Sequence, residues 1–147
     1  MPEEVPPVPE HLKHLPEATP PFAILEIPDG TTVHLRVVGW NVYRALIRPR
    51  YPGAPPYKWV KLLRIHLPPE IKPSKISPTE LFKKKEWTVE DVRAFTGLPW
   101  VDITASTLVE QLIPLLSRPD YFRYEYLITA MGIAPKKRYS VEVRPLG

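Results

Sequence analysis

Proline constrains this chain more than any other residue type, because 21 of its 147 residues are proline. An average protein contains about 5% proline. Each proline lacks a backbone N–H and has a fixed φ, so it interrupts helices and central strands. We therefore expect short helices and strands joined by irregular segments, in a chain whose length fits one domain of ordinary size.

The prolines fall mainly in two clusters, eight in residues 1–28 and eight in residues 49–78. The first cluster predicts an extended, semi-rigid, proline-rich arm over residues 1–21, in polyproline II form. The second predicts irregular proline-rich loops at 49–57 and 68–79. Residues 22–147 are then expected to form a single compact α+β domain.

Charge is also unevenly distributed, although the formal net charge is only +4. Residues 1–29 and 86–134 are acidic, residues 30–85 are strongly basic, and the C-terminal residues 135–147 are again basic. Such separation indicates oriented contacts, either within the molecule or with a partner.

Several classes of function are excluded by composition. The chain has no cysteine, which excludes disulfides, thiolate catalysis and cysteine-ligated metals. The apolar runs are too short to span a membrane, and the acidic, proline-broken start is unlike a signal peptide. We expect a cytoplasmic or virion location.

No enzyme signature is present, and we expect no catalytic, cofactor-binding or metal-binding residues. His11 and His14 have a spacing compatible with a metal, but no third ligand lies nearby in the sequence, so we interpret both as solvated arm residues. His34 and His66 are expected to be partly buried structural histidines.

The pattern after the arm is typical of β-structure. Residues 22–27 and 32–38 flank a Pro-Asp-Gly-Thr turn, which predicts a β-hairpin with Val33, Leu35 and Val37 on one face. Residues 41–47 fit a third strand or a short helix. Alternation predicts further strands over residues 58–67 and 136–145.

Three helices are predicted between these strands. Thr88 and Asp91 form a capping-box pattern for a helix over residues 89–96, and Gly97 is a suitable C-terminal stop. Val92 and Phe95 are expected in the core.

A second helix is predicted to begin at a cap on Thr104 or Ser106, to bring Leu108 and Leu112 into the core, and to be kinked or ended by Pro114. A third is predicted over residues 121–131, capped by Asp120. The expected class is therefore α+β: a proline-rich arm, a small antiparallel sheet, a three-helix cluster and a C-terminal strand or arm.

The strongest surface signal is a basic segment with interleaved aromatic residues, residues 43–64. Its cations suit phosphates and its aromatic rings suit base stacking. Two alternatives stand beside this reading: the rings pack in the sheet while the cations are solvated, or the basic face meets an acidic protein surface. The candidate partner- or nucleic-acid-binding residues are Arg44, Arg48, Arg50, Tyr51, Tyr57, Lys58, Trp59, Lys61 and Arg64.

Two stretches resemble known families. KEWTVEDVRAFTGLP resembles the first helix of an excisionase-type helix-turn-helix, which implies DNA reading by residues 88–116. VRAFTGLPWVDITASTLVEQLIPLL, residues 92–116, is similar to the small helical segment of phage tail-assembly proteins, which implies a role in virion assembly.

These observations favour a non-enzymatic assembly or interaction protein that uses extended arms to latch onto neighbouring subunits. Its most specific form is a structural or assembly component of a thermophilic phage particle, since high proline and absent cysteine suit a thermophile. The expected partners are protein subunits, as a homo-oligomer or part of a larger assembly, with no membrane. The alternative is a nucleic-acid-binding or transcription-regulating protein that uses residues 43–64 and 88–116.

Overall fold

The structure is a computed structural model that describes residues 5–49 and 52–147. In this part of the chain it contains seven strands and three α-helices, which confirms the α+β class. The strands are β1 (Thr32–Arg36), β2 (Gly39–Ile47), β3 (Lys58–His66), β4 (Glu86–Trp87), β5 (Trp100–Ile103), β6 (Tyr124–Met131) and β7 (Arg138–Pro145). The helices are α1 (Pro78–Lys83), α2 (Val89–Thr96) and α3 (Ser106–Leu116).

The strands form two sheets rather than the one small sheet expected. The four-stranded sheet has the order β4-β1-β6-β7 and the three-stranded sheet has the order β2-β3-β5. All neighbours are antiparallel except β1 and β4, which are parallel. Because β1 ends at Arg36 and β2 starts at Gly39, the chain passes from one sheet to the other within two residues.

The predicted alternation of β1 is confirmed. Val33, Leu35 and Val37 are fully buried and belong to the main hydrophobic core. In the pairing with β6, Val33 lies opposite Ile128 and Leu35 lies opposite Tyr126, and both partners are also buried. The inner faces of these strands therefore build one wall of the core.

Both sheets share that core with two helices. Helix α2 packs against β1, β4 and β5, and α3 packs against β7 and β3. The predicted core residues Val92, Leu108 and Leu112 are buried, whereas Phe95 is only half-buried, with its ring centroid 5.3 Å from that of Trp87.

The capping box of α2 is confirmed. The Thr88 hydroxyl accepts a hydrogen bond from the Asp91 N–H, and the Asp91 carboxylate accepts one from the Thr88 N–H. Gly97 ends the helix at φ +68°, a left-handed conformation that favours glycine.

The cap predicted for α3 is wrong, because Ala105 occupies the N-cap position and no side chain caps the helix. Pro114 is accommodated inside α3, which ends two residues later at Leu116. Helix α1 was not predicted; Ser77 caps it and Pro78 occupies its first turn.

The predicted β-hairpin is wrong. Residues 22–27 are extended, but they bond to β5 instead of β1: the Asp102 N–H donates to the Ala23 carbonyl, and the Leu25 N–H donates to the Asp102 carbonyl. Strand β1 has β4 on one side and β6 on the other, so both of its edges are already paired.

The predicted third helix is also wrong. Tyr121–Arg123 is a single 3₁₀ turn, and the chain continues as strand β6. Asp120 does not cap a helix; its carboxylate accepts a hydrogen bond from the Tyr124 hydroxyl at 3.0 Å. The helix-turn-helix predicted over residues 88–116 is wrong as well, because strand β5 separates α2 from α3.

The capping box gives a first prediction. Replacing Thr88 by alanine removes one side-chain acceptor from the start of α2, so the free energy of unfolding should fall by about 1 kcal/mol in a urea titration. Ser106→Ala is the matched control, since Ser106 makes no cap to α3 and its loss should change stability by less than about 0.5 kcal/mol. Equal effects of the two substitutions would contradict the assignment of the caps.

Candidate functional site

The arm, residues 5–21 of the described chain, wraps around the β2–β3 hairpin of its own molecule. At the free edge of β2, the Ala18 N–H donates to the Arg44 carbonyl at 2.9 Å, and the Arg44 N–H donates to the Pro16 carbonyl at 2.8 Å. Glu17 and Arg44 thus form a parallel β-bridge. The arm covers an edge that would otherwise expose unpaired backbone groups.

Side chains of the hairpin bind the first part of the arm through its carbonyl groups. The indole Nε1 of Trp59 donates to the Pro6 carbonyl at 2.7 Å. The Arg44 guanidinium donates to the Leu15 carbonyl at 2.5 Å and to the Lys13 carbonyl at 3.2 Å. Its Cζ atom lies 6.0 Å from the centroid of the Trp59 ring, within cation–π range.

The second part of the arm crosses the outer face of the three-stranded sheet. Ala18 is buried there in a small apolar cluster with Ala45 and Leu62, against which Phe22 packs. Its exposed fraction is 4%, so no larger side chain fits this position without displacing the arm.

A buried ion pair lies beneath this crossing. Asp102 on β5 is completely buried and accepts two hydrogen bonds from Arg64 on β3, from Nε at 2.8 Å and from Nη2 at 3.1 Å. The same carboxylate accepts the Ala23 N–H at 2.8 Å. One carboxylate therefore joins β3, β5 and the segment directly after the arm.

The Arg64 guanidinium is also enclosed by aromatic rings. Its Cζ atom lies 5.5 Å from the centroid of Tyr43 and 4.9 Å from that of Trp100. Its Nη2 atom lies 3.4 Å from the Thr19 carbonyl and 3.5 Å from the Pro21 carbonyl. Only 8% of the Arg64 surface is exposed, so in the folded state this side chain contacts other residues of the protein.

The nine candidate residues therefore differ in environment. Arg44, Trp59 and Arg64 contact the arm, whereas Arg48 donates to the Tyr57 hydroxyl at 2.6 Å with its Cζ atom 4.8 Å from the Tyr57 ring centroid. Lys58 is exposed and Lys61 is half-buried. Arg50 and Tyr51 lie outside the described residues.

Three residues of the site were missed by the sequence reasoning: Asp102, Tyr43 and Trp100. The nine candidate residues do not include Asp102. The signal that could have found it is its place in the apolar run Trp-Val-Asp-Ile, because a carboxylate inside such a strand requires a buried cation or several donors.

A second polar cluster lies on the outer face of the four-stranded sheet. The His34 ring on β1 is hydrogen-bonded through Nε2 to Glu86 on β4, at 2.5 Å, and through Nδ1 to Glu125 on β6. Burial lowers the pKa of His34, but the hydrogen bonds and charges of Glu125 and Glu86 outweigh this, so its pKa lies above the ordinary value of 6.5.

Beside this cluster the sheet face forms a shallow concavity of about 380 Å³. Charged and hydroxyl side chains from all four strands line it, including Lys85, Glu86, Thr129, Ser140, Glu142 and Arg144. No group of three or more histidine and carboxylate residues in the described part of the chain has the arrangement of a metal site.

The chain matches no known family, no curated protein and no solved structure. Among the described helices, none has the length and apolar character needed to cross a membrane.

The His34 cluster gives a second prediction. Because the folded-state pKa is raised, protonated His34 stabilises the fold fully below pH 6.5, and this contribution is lost as the pH rises through the folded-state pKa. The free energy of unfolding of the natural chain should therefore fall with pH above 6.5, relative to a His34→Gln variant. His11→Gln, which changes an exposed arm residue, is the control and should keep the natural pH dependence. Identical pH dependence in the His34→Gln variant and the natural chain would contradict the cluster.

Proposed function

We propose that this chain is a non-enzymatic assembly or interaction protein, in which the arm of one copy latches onto the β2–β3 hairpin of a neighbour. The observation that carries the proposal is the way the arm is bound. The hairpin binds the main-chain carbonyls of the arm, forms one β-bridge with it, and buries the small side chain of Ala18. These contacts do not depend on which copy supplies the arm.

Arm exchange needs a segment that docks without a large loss of entropy. The prolines of the arm restrict its unbound conformations, so little further freedom is lost on docking. Exchange of an identical element between copies is a common route to oligomers, because every contact made in the closed monomer is made again in the assembly.

The more specific forms of this function stay predictions. These are a component of a phage particle, a thermophilic source, and a cytoplasmic or virion location. The nucleic-acid alternative is less favoured by the geometry, because Arg44 and Arg64 already bind the arm. DNA or RNA bound with a Kd below about 1 μM at physiological salt would favour that alternative.

Photo-crosslinking tests arm exchange in the full-length chain. Light-isotope copies carry p-benzoylphenylalanine in place of Glu17, which is exposed and bridges to Arg44 on β2. They are mixed with heavy-isotope copies that lack the crosslinker. We expect crosslinks from residue 17 to β2 peptides of the heavy copies, and their share should rise with protein concentration.

The control places the same crosslinker at Ser117, an exposed residue after α3, and should give no crosslinks to β2. If residue 17 crosslinks only to light-isotope β2 peptides at every concentration, the arm stays on its own molecule and the proposal is wrong.

A further inference from the structure

Strand β7 is the terminal strand of the four-stranded sheet. Its eight residues pair with β6 along their whole length, and no other strand in the described part of the chain pairs with its outer edge. An edge strand of this length presents a row of backbone donors and acceptors that a further strand can pair with.

The hydrogen-bond pattern identifies the outward-facing backbone groups. The Leu146 N–H donates to the Arg123 carbonyl, so these two residues form a bonded pair one step beyond Pro145 and Tyr124. Bonded pairs alternate along an antiparallel ladder, so Ser140, Glu142 and Arg144 bond to β6. Tyr139, Val141 and Val143 direct their N–H and C=O groups away from the sheet.

Two features limit how this edge can pair. Pro145 also faces outward, where it offers a carbonyl but no N–H. The side-chain amide of Gln111 on α3 donates to the Tyr139 carbonyl at 3.1 Å, so that end of the edge is partly occupied. The available stretch is therefore centred near Val143.

We propose that β7 pairs with β7 of a second copy, antiparallel about a two-fold axis at Val143, to form a continuous eight-stranded sheet. In this register Val143 lies opposite Val143 of the second copy, and Val141 lies opposite Pro145. The Val141 N–H then meets the Pro145 carbonyl, and the bond from Gln111 to Tyr139 is kept.

The side chains of both sheet faces fit this register. On the outer face, Glu142 lies opposite Arg144 of the second copy, and the symmetry repeats the pair. Opposite charges directly across two strands are favourable. On the inner face, the half-buried Val141 and Val143 meet apolar side chains and extend the core. A second copy of this chain is therefore the partner that the edge fits.

This interface is distinct from the arm exchange proposed above, which uses β2 and β3 in the other sheet. A chain with both interfaces has two separate self-contacts, one formed by the β7 edge and one by the arm. Such a chain can grow beyond a dimer.

Charge substitutions test the pairing in the full-length protein by sedimentation. Glu142→Arg and Arg144→Glu each place like charges opposite one another in a self-dimer, so each should raise the dimer Kd by about tenfold. An equal mixture of these two variants restores opposite charges across the interface, and it should associate at least as tightly as the natural chain. Lys72→Glu is the matched control, since Lys72 is exposed and lies outside β7, and its dimer Kd should be unchanged.

Amide exchange gives a second readout. The Val141 and Val143 N–H groups should become protected as protein concentration rises, whereas those of Ser140 and Glu142 should be protected at all concentrations. The proposal is overturned if the natural chain shows no concentration-dependent protection at Val141 and Val143, or if the mixture of the two charge variants associates no better than either variant alone.

Discussion

The buried carboxylate of Asp102 is the group on which the three-stranded sheet and the arm both depend. It has no exposed surface, and it satisfies three donors, two from the Arg64 guanidinium and one from the Ala23 backbone. An isolated charge in such a place costs several kcal/mol, so the carboxylate and the guanidinium each require the other. Removing one partner of a buried pair of this kind typically costs about 3–5 kcal/mol.

This pair also organises what surrounds it. Arg64 is fixed between the rings of Tyr43 and Trp100, which come from the two strands on either side of β3. The Nη2 atom that donates to Asp102 also lies 3.4 Å from the Thr19 carbonyl and 3.5 Å from the Pro21 carbonyl of the arm. The arm crosses the sheet at the point where these carbonyls lie beside the guanidinium. On one side Glu17 of the arm bridges to β2, and on the other side Ile24, just after the arm, bridges to β5, so this part of the chain covers both edges of the three-stranded sheet.

The parts of the fold that could be predicted from the sequence are those with local causes. Strand β1, helix α2 with its capping box, and strand β7 are each encoded by a short alternating or helical pattern with matching end signals. The β-hairpin predicted from residues 22–27 and 32–38 was wrong because the partner of β1 is β6, about ninety residues further along the chain. No local turn signal in the sequence indicates a pairing over that distance. The predicted third helix was wrong because Asp120 matched a helix cap in the sequence, while Tyr126, Ile128 and Ala130 alternate inward as in a strand.

The candidate site was predicted only in part, because its contacts also join residues that are far apart in the sequence. The sequence located the basic and aromatic residues of the hairpin, but their partners are distant in the chain. Arg44 meets Leu15, Trp59 meets Pro6, and Arg64 meets Asp102. Two of the six candidate cations, Arg44 and Arg64, thus hold the protein's own arm.

The most direct test of this account is backbone amide exchange in an Arg64→Lys variant of the full chain. Lysine keeps the charge beside Asp102 but loses the forked pair of donors and the stacking between two rings. We expect faster exchange of the Ala18, Ala23 and Leu25 N–H groups, which bond to β2 or to Asp102, while the N–H groups of β6 keep their protection. Unchanged exchange at those three residues, or an equal loss of protection in β6, would contradict the role assigned to the Arg64–Asp102 pair.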